Sequence, residues 1–428
     1  MSNLEESGIG QTMHDRLTLL YPICRSITGN GVRETLSHLQ GLLPLQIHEV
    51  PSGTQVFDWV VPNEWNIRDA WIKNEDGVRV LDFKEHSLHV MSYSTPIHQT
   101  MPLEQLRKRI TSLPDQPDVI PYKTSYYQED WGFCMRHRDL EELEDGDYEV
   151  CIDSILEPGS LTYGEFYLPG QTADEILFSA HVCHPSLAND NLSGVVVSAT
   201  LASVLAARPQ LRYSYRFVFI PGTIGAITWL ARNEERTPYI QHGLVLSGLG
   251  DAGSITYKQS RQGDAMIDRA VSHVLALSGE PFSIQRFSPY GYDERQYCSP
   301  GFNLPVGCFS RSPYGTYPEY HTSNDNPTFV RPESLAGSLE TILGIVEVLE
   351  GDCIYLNTQP KCEPQLGRRG LYRGLGSTGE TMAMLWVLNL ADGKATLLEM
   401  AERASIPFAK LSGVAHTLES HGLLRKVT

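Results

Sequence analysis

The chain has 428 residues, 41% of them hydrophobic and 20% charged, with a formal net charge of −17. That length exceeds one ordinary core, so two or three domains are expected. The acidic field repels polyanions, which argues against a general nucleic-acid or anionic-membrane binder while leaving room for a local basic patch.

Eight cysteines are spread from Cys24 to Cys362 with no C-x-x-C pair. In a chain this long they do not read as a disulfide framework. The opening "MSNLEESGIGQTMHDRL" has neither a basic n-region nor an apolar h-region, so no signal peptide is expected. No apolar run reaches membrane-spanning length. A reducing cytoplasm is the expected location.

In chain order, "MHDRLTLLYPICRSITGNGVRETLSHLQGLLP" predicts two short helices around a Gly-Asn-Gly turn. Leu17, Leu20 and Tyr21 share one face; Leu36, Leu39 and Leu42 share another. From "IHEVPSGTQVFDWVVPNEWNIRDAWIKN" onward, β-branched and aromatic residues are broken by Pro-Ser-Gly and Pro-Asn, as in short strands with tight turns. "GVRVLDF" and "LHVMSYS" continue the strand character, and "MPLEQLRKRITSLP" predicts a short amphipathic helix. "YEVCIDSILEPGSLTYGEFYLPG" predicts a hairpin around Glu-Pro-Gly. Residues 49–165 are therefore expected to form a strand-rich inserted domain.

The rhythm changes near residue 175. "EILFSAHV", "YSYRFVFIPG", "HGLVLSGLG" and "FNLPVGCFSR" predict strands. They alternate with helices in "SGVVVSATLASVLAAR", "TIGAITWLARNEE", "DAMIDRAVSHVLALSG" and "PESLAGSLETILGIVEVLEG". Such alternation implies a largely parallel sheet with helices on both faces, and sites at the carboxyl ends of its strands. Residues 1–48 and 166–360 are expected to make this α/β domain. From about 378 three helices and a short final strand follow. Leu397, Met400 and Ala401 face inward on the second helix; Leu411, Val414 and Leu418 do so on the third. The Ser-Ile-Pro turn between them fits a helix-turn-helix and "GLLRKV" a wing, so 361–428 is expected to be a linker and winged-helix domain.

Polar residues crowd the predicted strand ends. "HVCHPSLANDNLSG" puts His181 at a strand tip and Asp190 at a helix start. The turn between them returns the chain to one point, and imidazole with carboxylate suits zinc. The alternatives are a helix-capping Asp190 and a hydrogen-bonded His181. "PEYHTSNDNP" adds His321 in a polar loop beside Glu319 and Asp325. Two histidines and a carboxylate leave one position open, as a catalytic zinc requires.

These motifs, "HVCHPSLANDNLSG" and "YHTSNDNP", resemble those of the zinc aminopeptidase and carboxypeptidase superfamily with co-catalytic zincs, over roughly 170 to 350. The wider layout, with "EWNIRDAWI", "SYSTPIH", "YGYDERQYCSPGFNLP" and "PKCEPQLGRRGLY", is similar to the bacterial aminopeptidase-like family with an inserted small domain and a C-terminal winged helix. The resemblance implies a three-layer α/β/α, mostly parallel but mixed, sheet of zinc-peptidase type. It also implies a zinc-dependent hydrolase of an amide or peptide bond. His181 corresponds to the first ligand histidine, Asp190 to the bridging aspartate and His321 to the last histidine.

The chain departs from that pattern. Cys183 stands at the H-x-D aspartate, Gly222 and Thr223 stand where a Glu-Glu pair is usual, and Asp251 falls several residues late. One zinc on His181, Asp190 and His321 is therefore expected, with a base from elsewhere. Glu294 in "YGYDERQYCSPG" is the expected base, and Glu319 its competitor. A structural salt bridge is the alternative for Glu294. Asp293 is expected to bind a substrate ammonium and Arg295 a substrate carboxylate. Tyr292 is expected in the substrate pocket. Cys183 reads as a buried thiol or a thiolate ligand, with the thiol preferred; His184 reads as a turn histidine.

No G-x-G-x-x-G after a first strand, no phosphate loop and no G-x-S-x-G occurs, so nucleotide and serine-hydrolase chemistry has no motif. Expected partners are a small peptide or amide substrate, no membrane, and a second copy through the winged helix or the inserted domain. DNA is not expected, because the third helix "FAKLSGVAHTLESHG" offers only Lys410 as a cation. A degenerate peptidase fold kept for binding, or a regulator using the winged helix, are the rival readings.

Overall fold

The computed structural model describes residues 8–371 and 378–427. Residues 1–7, where part of the leader reading falls, and Tyr372, which ends one quoted motif, lie outside them. Contacts group the chain into two units: Met1–Gly263 with Gln285–Leu339, and Asp264–Ile284 with Glu340–Thr428.

In the first unit, seven strands of one sheet follow the order Gln46–Pro51, Ser160–Leu168, Ser214–Ile220, Glu175–His181, Ile240–Leu246, Val306–Ser310, Ile255–Lys258. The four strands predicted from alternation pair in parallel, Glu175–His181 lying between Ser214–Ile220 and Ile240–Leu246, and Ile240–Leu246 also pairing Val306–Ser310. Both flanks are antiparallel, which makes the sheet mixed. Every residue of Glu175–His181 and of Ser214–Ile220 is buried, as continuous apolar runs in a two-sided sheet require. The helix Gly194–Ala206 is apolar nearly all round and also lies in the core. Its first residue must be glycine, because a Cβ there would meet the Leu246 carbonyl oxygen at 2.4 Å.

A second sheet in this unit has the order Arg79–Asp82, Glu64–Lys73, Asp147–Glu157, Ile97–Pro102, all antiparallel. Burial alternates along Asp147–Glu157, and Ala70, Ile72, Phe133, Val150 and Ile152 form its core. The expected Glu-Pro-Gly hairpin does not form. Asp147–Glu157 pairs within this sheet, whereas Ser160–Leu168 crosses to the main one. Local alternation specifies strand, not partner. "LHVMSYS" is no strand either: it makes isolated bridges at Val90 and Ser92 after a short helical turn, Ser87–His89. The helix in "MPLEQLRKRITSLP" is only Leu103–Arg107, followed by extended Ile110–Thr111.

The second unit contains the helices Met266–Ala276, Thr378–Leu390, Leu397–Ala404 and Phe408–Ser420. Its three-stranded sheet runs Asp392–Thr396, Ile354–Asn357, Leu424–Lys426. Thr396 opens the Leu397–Ala404 helix with a reciprocal cap: its hydroxyl accepts from the Glu399 N–H at 3.2 Å, and Glu399 Oε2 accepts from the Thr396 N–H at 2.9 Å. Leu397, Met400 and Ala401, and Leu411, Val414 and Leu418, are buried, as the periodicity predicts. The two strands before the final one carry no strong alternation and were not anticipated. No helix among the described residues is long and apolar enough to cross a membrane.

Candidate metal centre

One strand tip, the helical turn after it and a later loop of the first unit build the site. The strand Glu175–His181 ends by presenting His181, only 3% exposed. The chain then turns through His184-Pro185-Ser186, and a wide helical turn, Ala188–Ser193, leads into the Gly194–Ala206 helix. That turn buries Asp190 completely. One carboxylate serves two histidines: His181 Nε2 lies 2.9 Å from Asp190 Oδ1, and His321 Nε2 lies 3.1 Å from Asp190 Oδ2. Asp190 makes no side-chain cap, so the capping alternative is set aside.

His184 belongs to the same cluster. A ring nitrogen of His184, one of His181 and an oxygen of Asp190 all lie within 4.8 Å of one another. The His184 ring sits 4.9 Å from His181 and 5.4 Å from His321, centroid to centroid. Aromatic rings fix these imidazoles. Tyr122 is edge-on to both His184 and His321, Tyr320 stacks on His321 at 3.9 Å, and Tyr292 stacks on His181 at 5.3 Å. The sequence reading left His184 in an ordinary turn; its spacing of three from His181 was the signal available. Burial alone pushes the Asp190 carboxyl up, but His184, His181 and His321 outweigh it and hold it well below the usual range.

The loop carrying Asp190 is held from every side. Asp325 accepts from the backbone N–H of Asn189 at 2.5 Å and of Asp190 at 2.9 Å. Burial still pushes the Asp325 carboxyl up to about 8. Asn189 donates to Asp251 Oδ2 at 2.9 Å and accepts from the Gly250 N–H at 2.8 Å. Asn191 donates to the Leu246 carbonyl at 3.0 Å. Asp251 also takes the Ser312 hydroxyl at 2.7 Å, so this late-falling aspartate braces the loop. Behind the site, buried Arg25 donates to the His184 carbonyl at 2.9 Å and to the Leu20 carbonyl at 2.7 Å. The Asp325 and Arg25 roles were not foreseen, because each acts through backbone atoms that no side-chain motif reveals.

The remaining expected residues separate. Glu294 is buried in an ion pair with Lys258 Nζ at 2.7 Å, and Lys258 also donates to the Tyr290 carbonyl at 2.7 Å. The salt-bridge alternative is the arrangement found for Glu294, with Lys258 as the partner. Asp293 is 2% exposed and accepts from the Thr223 N–H at 2.7 Å. Arg295 donates to the Thr223 hydroxyl at 3.2 Å. Glu319 is half-buried, and its backbone carbonyl accepts from Thr322. Cys183 Sγ accepts from the Gly222 N–H at 3.2 Å, and burial pushes its thiol up to about 12, which fits the inert-thiol alternative.

The cluster fits a small divalent ion. Nitrogen and oxygen ligands at zinc distances stand about 3.3 Å apart around a tetrahedron, and the imidazole–carboxylate separations here are 2.9 and 3.1 Å. All the donors are imidazole or carboxylate, which zinc accepts.

The fold is that of an α/β aminopeptidase-like protein with a C-terminal winged helix. Residues 353–426 match a winged helix-turn-helix family. Residues 14–352 match the family described as "Domain of unknown function (DUF4910)", and the chain belongs to that family. It is 49% identical over 425 residues to a Clostridium acetobutylicum protein named, provisionally, as a polysaccharide biosynthesis protein with an aminopeptidase-like domain; the match covers 98% of both chains. A solved structure from the same organism, provisionally named a peptidase, superposes with a TM-score of 0.94 at 47% identity, covering 99% of this chain and 100% of that one. The Bacillus subtilis zinc aminopeptidase BSAP shares the fold, with a TM-score of 0.57 at 14% identity, over 79% of this chain and 94% of its own.

Proposed function

We propose that this protein is a zinc-dependent hydrolase of an amide or peptide bond, aminopeptidase-like and cytoplasmic. The observation that carries the reading is one buried carboxylate, Asp190, shared between His181 at a strand tip and His321 in the loop that follows Val306–Ser310. His181, Asp190 and His321 would hold the ion, with His184 beside them. A bound zinc supplies Lewis acidity to polarise a carbonyl and to acidify water. Tyr122, Tyr292 and Tyr320 pack against the imidazole rings. Arg295 offers a cation for a substrate carboxylate from the loop that also carries Tyr292. The winged helix is read as a protein contact, with a second copy as partner, because its third helix carries Lys410 as its one cation.

The test is metal analysis of purified wild type and His181→Ala, alongside amine release from a panel of aminoacyl anilides and N-acyl amides. Near-stoichiometric zinc that is lost in His181→Ala, with turnover by wild type alone, is expected. Metal content unchanged by the substitution removes the assignment. A second reading, a peptidase fold retained for binding, is favoured by Gly222, which leaves no carboxylate on that strand tip. Zinc retained with no turnover on the whole panel would select it.

A further inference from the structure

A hydrolase needs a group that takes a proton from the attacking water and returns it to the leaving amine. Among the described residues, four nearby carboxylates are committed to charged or multiple protein partners, although Glu294, paired to Lys258 through one oxygen, keeps Oε2 without a partner. Asp190 lies between the histidines, Asp325 holds two backbone N–H groups, Asp251 holds Asn189 and Ser312, and Glu294 neutralises Lys258. Asp293 is different. Its carboxylate receives a single backbone N–H, from Thr223, at the tip of the Ser214–Ile220 strand. The residue before Thr223 is Gly222, and a Cβ there would lie 3.7 Å from the His181 Cβ and 3.4 Å from the Cys183 sulfur. A side chain at 222 would therefore face the first histidine, and this chain has none. Asp293 reaches the same tip from another loop, with its neighbour Tyr292 stacked on the His181 ring.

We propose that Asp293 is the proton-carrying carboxylate of this site, delivered in trans from the Tyr290–Arg295 loop to the strand tip that Gly222 leaves bare. The inference rests on the amide-hydrolase reading above. Asp293 is not among His181, His184 and Asp190, whose ligand atoms lie within 4.8 Å of one another. In the reaction, the Asp293 carboxylate accepts a proton from water as the water oxygen bonds to the amide carbon. It then gives that proton to the amide nitrogen as the C–N bond breaks. A carboxylic acid and an amine leave, and Asp293 is again a carboxylate. The loop is held for this task by the Lys258–Glu294 pair: a Cβ at Gly291 would fall 2.2 Å from Glu294 Oε1, so the turn closes directly over it. Glu294 is thus a positioning residue. Burial pushes the Asp293 carboxyl up to about 6, an apt value for a group that both takes and returns a proton near neutrality.

The charged and titratable groups around Asp293 are His181, Glu294 and Arg295, with Cys183, Tyr127, Tyr297 and Cys308. The test uses the full-length protein loaded with cobalt(II), its visible d–d spectrum titrated from about pH 5 to 9. Removing one negative charge at the site is expected to lower the spectral midpoint by at least about half a unit in Asp293→Asn. Asp293→Glu, which keeps the charge, is expected to restore it toward wild type. On any amide that wild type turns over, kcat in Asp293→Asn is expected to fall about 10²–10⁴-fold with KM little changed. An unmoved midpoint in a folded Asp293→Asn protein overturns the proposal. So does a midpoint that moves in Glu294→Gln or Glu319→Gln but not in Asp293→Asn. A wild-type protein that takes up no cobalt defeats the metal reading itself, a separable failure.

Discussion

The loop from His181 to Asn191 and the loop from Tyr290 to Arg295 serve one cluster but are built by opposite means. The first is overdetermined. Asp325, Asp251, Ser193 and Arg25 bind it through backbone and side chain alike, its own Asn189 and Asn191 reach out to Gly250 and Leu246, and its residues are nearly all buried. The second is held mostly by side chains: Lys258 pairs with Glu294 and donates to the Tyr290 carbonyl, the Thr223 N–H donates to Asp293, Arg295 donates to the Thr223 hydroxyl, Tyr314 donates to the Tyr290 carbonyl, and Tyr290 is 67% exposed. The difference teaches where each job can sit. Ligand atoms must keep their mutual distances to a fraction of an ångström, and many small restraints achieve that. A proton carrier needs its own protonation equilibrium, which dense hydrogen bonding would fix in one state.

That contrast is open to attack. The largest effect is expected where one support carries the most. Lys258→Met leaves Glu294 buried without its cation and should cost about 3–5 kcal/mol, read as a fall in the urea midpoint. The same change should cripple turnover while leaving zinc content near wild type. If zinc is lost instead, the two loops are not separable. In the first loop, Asp325→Ala should fold but hold zinc about 10–100-fold more weakly, measured by competition with a chelator. Undiminished affinity would mean that the remaining restraints suffice alone.

A third prediction follows from protonation. The Asp293 carboxyl is raised from 3.8 to about 6 by burial, so the folded state favours its protonated form. It therefore acts as a base above about pH 6, and turnover should decline below that. The same shift makes Asp293 a stability cost at neutral pH that fades as pH falls toward 4. Asp293→Asn should accordingly raise stability at pH 7, by at most about 3 kcal/mol, with a smaller gain at pH 4. A gain that grows on acidification would contradict the sign. The smallest effect lies in the winged-helix unit. Arg269 pairs with Glu402 and, at 3.5 Å, with Glu399, and all three side chains are about one-third exposed or more. Arg269→Ala should cost about 0.5–1 kcal/mol, less in high salt.

Much of the fold could be read from the chain. The buried strand that ends at His181 and the helix from Gly194 were visible as continuous apolar runs with a polar break between them. The winged-helix core was visible as a 3.6-residue period through Met400 and Leu411. What escaped were pairings between distant segments. Ser160–Leu168 looked like the return strand of Asp147–Glu157, yet its partners are Gln46–Pro51 and Ser214–Ile220. Ile255–Lys258 is a four-residue strand whose partner, Val306–Ser310, lies some fifty residues on, and nothing local marks it. In the site, His181, Asp190 and His321 stand in the motifs "HVCHPSLANDNLSG" and "YHTSNDNP", and the structure brings the three side chains together. His184 was hidden beside Pro185. The partner of Glu294 escaped because a lone glutamate in an aromatic loop reveals nothing of Lys258, 36 residues before it.

The guanidinium of Arg25 has one further consequence. It ties the end of the Ile9–Leu20 helix, through the Leu20 carbonyl, to the main chain of His184. The amino-terminal helix and the rim of the chemistry are thus one mechanical piece. A fusion, a cleavage or a small molecule that unseats that helix would be felt at the main chain of His184, so the cluster is open to influence through its backbone support.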